Sequence, residues 1–167
     1  MDPLNGKRLV ILGMARQGTA LARFAVGVGA LVTLSDLRPA EALTGIRASL
    51  SDLPADRLHF VLGEHPLSLL DDCDLLAISG GVSIGAPLVV EAQQRGIPLT
   101  NDSIEFAVRA PAPLVGITGS AGKTTTTALV GRMGQVAGRR AWVGGNIGRP
   151  LIGDLAEMSP GDLIVME

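Results

Sequence analysis

The sequence predicts an α/β protein built on parallel sheets, with strands and helices alternating along its 167 residues. Short apolar runs of the kind found in buried strands recur at residues 8–12, 31–35, 58–62, 75–79 and 97–100. After the first run, Leu21, Phe24, Ala25 and Val28 follow at the i, i+3, i+4, i+7 spacing of an amphipathic helix. Strands that alternate with helices favour a doubly wound sheet whose neighbouring strands are parallel.

The other elements of this part complete a first unit, which we predict over residues 1–100. Helices are expected near residues 39–50 and 87–96, and the second has proline at its start and glycine at its end, as helices commonly do. Residues 101–113 then form a predicted linker. It consists of a short helix followed by Pro-Ala-Pro, which cannot continue a helix.

A second α/β unit is predicted over residues 114–167. Its long helix carries Leu129, Met133, Val136 and Ala137 as one apolar stripe, the pattern of a helix that packs its apolar side on a core. Strands are expected at residues 114–118, 141–143 and 163–166, and a short helix near 151–158. Three strands are few for a complete ATP-binding domain, so we expect this domain to be truncated.

Composition argues against several functional classes. A net charge of −2 and a pI near 5.7 give no basic field for a polyanion, and the chain has no Tyr, one Trp and three Phe for base stacking, so we expect no nucleic-acid partner. No apolar run approaches the roughly 18 residues of a membrane span. Cys73 is alone, as suits a buried core residue in a reducing cytoplasm. His59 and His65 lack partners at metal-ligand spacing and are expected in surface or loop positions. We expect a cytoplasmic monomer.

A glycine-rich loop in the second unit is the strongest chemical signal. The strand at 114–118 turns through glycines into a helix that opens with Gly122, Lys123 and Thr124. Inward-facing backbone N–H groups and the helix N-terminus suit phosphate oxygens, the lysine suits the β/γ-phosphates, and the threonine hydroxyl suits Mg²⁺. Ile117 stands where the strict phosphate-loop pattern has its first glycine, so the loop is a variant.

A second glycine turn follows the first strand. Residues 13–18 (GMARQG) resemble a dinucleotide-binding fingerprint with Ala15 at the second glycine, and Asp36 ends the next strand, where it could accept hydrogen bonds from a ribose or a base. Alone, the turn is a weak signal, and a tight turn in a sheet that binds nothing is the alternative. Ser79, Gly80 and Gly81 follow another strand of the same sheet, and two glycine-rich strand ends on one edge suggest a ligand site in a Rossmann-like unit.

Taken together, six segments resemble the Mur ligases, in particular their D-glutamate-adding members. In chain order they are GKRLVILG with GMARQG, SDLRP, AISGG, GITGSAGKTTTT, GGNIGRP and LIVME. The loop TGSAGKT is shared between Mur ligases and folylpolyglutamate synthetases, so another enzyme of these types is an alternative. The resemblance implies an ATP-dependent ligase of peptidoglycan synthesis that adds D-glutamate to UDP-N-acetylmuramoyl-L-alanine through an acyl phosphate.

The same resemblance implies the site residues. Those holding the UDP substrate would be Arg16, Gln17, Asp36, Leu37, Arg38, Ser79, Gly80 and Gly81, with Asn146 contacting it from the second unit. Those binding ATP would be Gly119, Ser120, Ala121, Gly122, Lys123, Thr124 and Thr125. Thr124 and Glu167 would hold Mg²⁺, and Lys123 and Glu167 would serve catalysis by stabilising charge.

Three departures and two alternatives qualify this interpretation. Ala15, Gly80 and Ala121 replace a glycine, a proline and an asparagine that are usual in the family. The first two could reshape the UDP site, and the third removes a side-chain amide near the phosphates. The chain could also be a nucleotide-binding module that is inactive by itself, which we expect of the isolated 167 residues. An NAD-dependent dehydrogenase is disfavoured by Ala15 and by the phosphate loop.

Overall fold

The computed structural model describes all 167 residues, which form two compact units, Met1–Asp102 and Ser103–Glu167. The strands are β1 (Arg8–Leu12), β2 (Leu31–Asp36), β3 (Leu58–Leu62), β4 (Leu75–Ile78), β5 (Leu99–Thr100), β6 (Leu114–Gly116), β7 (Ala141–Gly144) and β8 (Leu163–Met166). The α-helices are α1 (Arg16–Gly27), α2 (Thr44–Ala48), α3 (Pro87–Gln94), α4 (Asp102–Ala107) and α5 (Lys123–Val136). Short 3₁₀ segments occupy Ala40–Leu43, Leu67–Leu70 and Leu151–Glu157.

The first unit is a five-stranded parallel sheet with the order β3-β2-β1-β4-β5. Strand β1 lies at its centre and pairs with β2 on one side and β4 on the other, so that Leu12 stands opposite Ser35 and Ile78. Val10 and Leu12 are buried in a cluster with residues of α3. Helix α1 buries Leu21, Ala22, Ala25 and Val26. The central position of β1 brings the end of that strand, and the glycine turn after it, to the middle of the carboxyl edge.

The second unit contains a three-stranded parallel sheet with the order β6-β8-β7. Strand β8 lies between the other two, and its residues Ile164 and Val165 are fully buried (0% exposed). Helix α5 packs on β7 and β8. The phosphate loop follows β6, and the sequence GGNIG begins at the end of β7, so both open at the same edge as the end of β8.

The predicted alternation of strands and helices and the parallel pairing are confirmed. Two predicted helices form differently. The segment expected near 39–50 is divided into the 3₁₀ turn Ala40–Leu43 and the five-residue α2, and the one near 151–158 is a 3₁₀ segment. Gly45 and Gly153 lie inside these segments, and glycine lowers helix propensity in runs that are already short.

The predicted core-facing stripe of α5 is wrong. Leu129, Met133 and Val136 are 59%, 63% and 75% exposed. The helix instead buries Thr127, Gly131 and Gly134. A methyl group on either glycine would overlap Val143 or Leu163, so the small residues are what let the helix approach the sheet closely. None of the helices has the length and apolar character needed to cross a membrane.

Candidate functional site

The carboxyl edge of the first sheet gathers the segments that follow β1, β2 and β4. Parallel strands all end at this edge, which is where open α/β sheets bind ligands. A cavity of about 230 Å³ opens there. Its lining contains the predicted residues Asp36, Leu37, Arg38, Ser79 and Gly81, together with Gly13, Ala15, His65 and Val82.

The glycine turn at this edge is closed by tight backbone packing. The Ser79 hydroxyl donates to the Gly13 carbonyl at 3.2 Å, and the Gly13 amide donates to Ser35 at 2.8 Å. Gly13 has a positive φ of 93°, and a methyl group on Gly18 would overlap the Gly13 carbonyl. The turn therefore requires glycine at both ends, because of its backbone conformation at one and the close approach at the other.

Residues predicted to bind substrate flank this turn. Arg16 begins α1 and is exposed. The Gln17 side-chain oxygen lies 3.2 Å from where a Cβ would stand on Gly80, so these two predicted residues are close together. Gly81 is exposed and lines the cavity. The structure thus brings the predicted residues of the first unit to one sheet edge.

Asp36 is occupied by hydrogen bonds from its own chain. Its carboxylate accepts from the Met14 amide (2.8 Å) and from the Arg38 amide, Nε and Nη2 (2.9, 2.9 and 2.8 Å). The Arg38 side chain, and to a smaller degree the two amides, hold the pKa of Asp36 well below its usual range despite burial, which acts to raise it. Asp36 therefore orders the glycine turn and presents Arg38, whose side chain is half exposed.

Leu37 and Arg38 follow Asp36 and make this end of the cavity partly apolar and partly cationic. Leu37 is 65% exposed and lines the cavity. Together with the planar guanidinium of Arg38, it offers a surface on which a flat ring can stack. The glycine turn and the N-terminus of α1 at the other end suit an anion.

His65 and Val82 line this cavity and were not among the predicted site residues, and His65 is the polar one of the two. It lies in the loop after β3, as expected, but its side chain is half-buried and its Nδ1 lies 2.7 Å from the Ser35 hydroxyl. The available signal was the position of His65 soon after β3. Because β3 neighbours β2, a residue that follows β3 can lie near those that follow β2. His59 is exposed on β3, as expected. A larger cavity, of about 480 Å³, lies beside His59 and is lined by none of the predicted site residues.

The phosphate loop of the second unit is open and exposed. Gly119, Ser120, Ala121 and Gly122 are exposed, and Gly122 precedes α5 with a positive φ of 73°. The Lys123 ammonium donates to the Gly119 carbonyl at 2.7 Å, so the lysine lies folded over the loop. A methyl group on Gly122 would meet nothing within 4 Å. The loop therefore keeps open space around the backbone that would face a phosphate.

Three predicted residues from different segments meet at the end of β8. The Thr124 hydroxyl donates to the Glu167 carboxylate at 2.8 Å. The backbone N–H of Asn146 donates to the Glu167 carbonyl at 3.1 Å, and the backbone N–H of Glu167 donates to the Gly144 carbonyl at 3.0 Å. A methyl group on Gly145 would lie 2.7 Å from that same Glu167 carbonyl, so glycine permits the approach. A hydroxyl and a carboxylate side by side are oxygen ligands of the kind Mg²⁺ prefers. Thr125 is exposed on the first turn of α5.

Sequence comparisons find a family and close relatives. Residues 7–101 match the model of the N-terminal domain of MurD-like Mur ligases. The chain is 45% identical over its whole length to UDP-N-acetylmuramoylalanine--D-glutamate ligase of Syntrophotalea carbinolica. It is 38% identical, over 99% of its length, to the enzyme of the same name from Clostridium botulinum. It spans 36% of the length of each of these relatives.

Solved structures with a similar fold belong to ligases of the same kind. A pseudomurein peptide ligase type C from Methanothermus fervidus matches 96% of this chain at 26% identity with a TM-score of 0.53, and the chain covers 32% of that protein. UDP-N-acetylmuramate-alanine ligase MurC from Thermotoga maritima matches 95% at 20% identity with a TM-score of 0.52, and the chain covers 36% of it. The second likeness concerns the fold alone.

Proposed function

The chain belongs to the MurD-like Mur ligases, and on that premise we propose that it serves an ATP-dependent ligase of peptidoglycan synthesis. The reaction is the addition of D-glutamate to UDP-N-acetylmuramoyl-L-alanine, as the names of the relatives indicate. The observation that carries the proposal is 45% identity to such a ligase over the whole length of this chain. We place the protein in the cytoplasm as a monomer.

The first unit is the proposed site for the UDP part of the substrate. The pyrophosphate lies at the glycine turn, where Arg16 and the start of α1 offer positive charge. The uracil lies against Leu37 and Arg38, with Ser79 and Gly81 closing the cavity and Gln17 and Gly80 beside it. Asp36 supports this site by ordering the turn and Arg38, since its carboxylate already accepts four hydrogen bonds from the chain.

The second unit is the proposed site for ATP. Its phosphates lie on the loop from Gly119 to Thr125, where the Lys123 ammonium exchanges the Gly119 carbonyl for phosphate oxygens. Thr124 and Glu167 fit Mg²⁺ because their oxygens already lie 2.8 Å apart at the end of β8. When bound, the ion neutralises charge that develops on the transferred phosphoryl group. Asn146, held by Glu167, is proposed to contact the UDP substrate.

The proposed reaction has two steps. A carboxylate oxygen of the substrate attacks the γ-phosphorus of ATP and ADP leaves, which gives an acyl phosphate. The amine of D-glutamate then attacks the acyl carbon, loses a proton and displaces inorganic phosphate. Lys123 stabilises the negative charge of the transferring phosphoryl group, and no residue of the chain acts as a nucleophile.

The experiment is a chimaeric ligase in which these 167 residues replace the matching part of the Syntrophotalea carbinolica enzyme. We expect phosphate release that requires both ATP and D-glutamate, and its loss in Lys123→Ala but not in Lys7→Ala, a matched change on the surface of the first unit. A folded chimaera that binds the UDP substrate yet releases no phosphate would contradict the proposal.

A second candidate concerns the chain by itself. Because it spans 36% of its relatives' length, we propose that the isolated 167 residues bind nucleotides without ligating D-glutamate. D-glutamate-dependent ATP turnover by this chain alone would contradict that statement.

A further inference from the structure

His65 is held in the cavity of the first unit by a buried partner. The Ser35 side chain is completely buried (0% exposed) at the end of β2 and contacts two groups of the segment after β3. These are the Glu64 carbonyl, at 3.2 Å, and the His65 Nδ1 atom, at 2.7 Å. The Gly63 amide also donates to the Asp36 carbonyl at 2.8 Å. These hydrogen bonds therefore fix the position of the His65 ring relative to Asp36, which holds the Arg38 side chain.

The hydrogen bonds of Ser35 determine which nitrogen of His65 carries the proton. A serine hydroxyl has one proton to donate, and a carbonyl oxygen can only accept. Both contacts of Ser35 are hydrogen bonds at once only if its hydroxyl donates to the Glu64 carbonyl and accepts from a protonated Nδ1 of His65. In a neutral imidazole the other nitrogen, Nε2, is then an acceptor.

The surroundings of His65 favour the neutral ring. Burial lowers the pKa of His65 below its ordinary value, while the charge of Asp36 and the Glu64 backbone act in the opposite direction to a smaller extent. At neutral pH the ring is then mostly uncharged. The hydrogen bond of the ring to Ser35 uses Nδ1, so Nε2 is the nitrogen left to accept from a ligand in the cavity that His65 lines.

Charge decides which part of a nucleotide lies beside His65. The Asp36 carboxylate is at this end of the cavity and would repel a phosphate, whereas Leu37 and Arg38 suit a flat ring. We propose that His65, positioned by Ser35, recognises the base of the bound nucleotide, with Nε2 of His65 accepting a hydrogen bond from N3–H of uracil. This inference rests on the proposed UDP site and adds a specificity-determining residue, with Ser35 as a positioning residue.

An acceptor at this place distinguishes the two common pyrimidines. Uracil presents a donor at N3, whereas cytosine presents an acceptor at N3 and would face Nε2 with two lone pairs and no proton. A site built to pair with a donor rejects a ligand that lacks it, because both acceptors lose water without gaining a partner. His65 therefore selects uridine over cytidine nucleotides.

The test is calorimetric titration of this chain with UDP and with CDP near neutral pH. We expect the wild-type chain to prefer UDP and His65→Ala to lower the ratio of the two affinities roughly tenfold. His65→Gln, which keeps an acceptor, should retain part of the preference. His59→Ala, an exposed histidine on β3, is the matched control and should leave the ratio unchanged.

A cycle with Ser35→Ala tests the positioning role. If Ser35 acts through His65, Ser35→Ala lowers the ratio of UDP to CDP affinity in the wild-type chain. In the His65→Ala variant, Ser35→Ala then has no further effect on that ratio. An unchanged ratio of UDP to CDP affinity in His65→Ala would overturn the inference while UDP binding itself persists. Absence of UDP binding in the wild-type chain would instead overturn the proposed UDP site, so the two failures are distinguishable.

Discussion

The two glycine-rich turns of the molecule look alike in sequence but differ in how the chain surrounds them. The turn at residues 13–18 is packed against Ser79 and Asp36, and its last glycine has no room for a methyl group. The phosphate loop is exposed, and Gly122 has open space around its Cβ position. Gly18 is thus required by close packing, whereas Gly122 is required by its backbone conformation alone. The first turn is therefore held in place by the packing around it, whereas the second is not packed on at Gly122.

Gly18→Ala should have the largest effect on stability. The added methyl group overlaps a backbone carbonyl that cannot rotate away, so we expect a loss of about 3 kcal/mol or more. Gly122→Ala should cost only about 1–2 kcal/mol, because the strain there is confined to a positive φ. Urea unfolding of both variants measures the difference. Equal losses would contradict the distinction between the two turns.

Lys123→Ala should affect binding far more than stability. The ammonium contacts only the exposed loop carbonyl of Gly119. Loss of a charged hydrogen bond to phosphate should weaken ATP binding by roughly 10- to 100-fold, while the urea midpoint stays close to the wild-type value. Titration with ATP and Mg²⁺ checks this, with Lys7→Ala as control. A variant that binds ATP normally would show that the loop does not hold the nucleotide.

Asp36→Asn should change the acid stability of the first unit. The folded-state pKa of Asp36 is depressed, so its contribution is present above the unfolded pKa near ~3.9 and is lost as pH falls from there toward the folded pKa. We expect the variant to be less stable by about 1–2 kcal/mol at pH 7. It should also lose less stability than the wild type on acidification below about pH 4. Unfolding at several pH values measures both. Asp56→Asn, an exposed position, should keep the wild-type profile.

The smallest effect is expected at the exposed stripe of α5. Leu129→Gln should change the stability of this chain by less than about 0.5 kcal/mol, because the side chain is mostly in water. Gly131→Ala on the opposite side should cost about 1–3 kcal/mol, since the stiff Val143 side chain must move. A larger loss for Leu129→Gln in thermal unfolding would show that the stripe packs against the chain after all.

The sequence predicted the strands well because their apolar runs are bounded by glycine and polar residues. β1, β3 and β8 have the predicted limits. The side of α5 that packs on the sheet was not predictable from periodicity, because the close approach selects Gly131 and Gly134 over larger apolar residues. Short helices such as Leu151–Glu157 depend on local glycines and tertiary contacts more than on apolar spacing.

The residues of the candidate site were predictable where they belong to a sequence motif. They were less predictable where a contact depends on which strands are neighbours in the sheet. The edge position of Ser79 follows from strand order, and Thr124 and Glu167 meet because β8 lies beside β6. His65 joins the first cavity through Ser35 on a neighbouring strand, and no local pattern shows that contact. That Asp36 binds Arg38 of its own chain also required the structure.

The most direct test of the account is whether the chain has two separate nucleotide sites. Calorimetric titration with UDP-N-acetylmuramoyl-L-alanine and with ATP and Mg²⁺ should show saturable binding of each. Arg38→Ala should weaken only the first and Lys123→Ala only the second. Loss of both ligands in either variant, or binding of NADH in place of the UDP ligand, would contradict the assignment of one nucleotide to each glycine-rich turn.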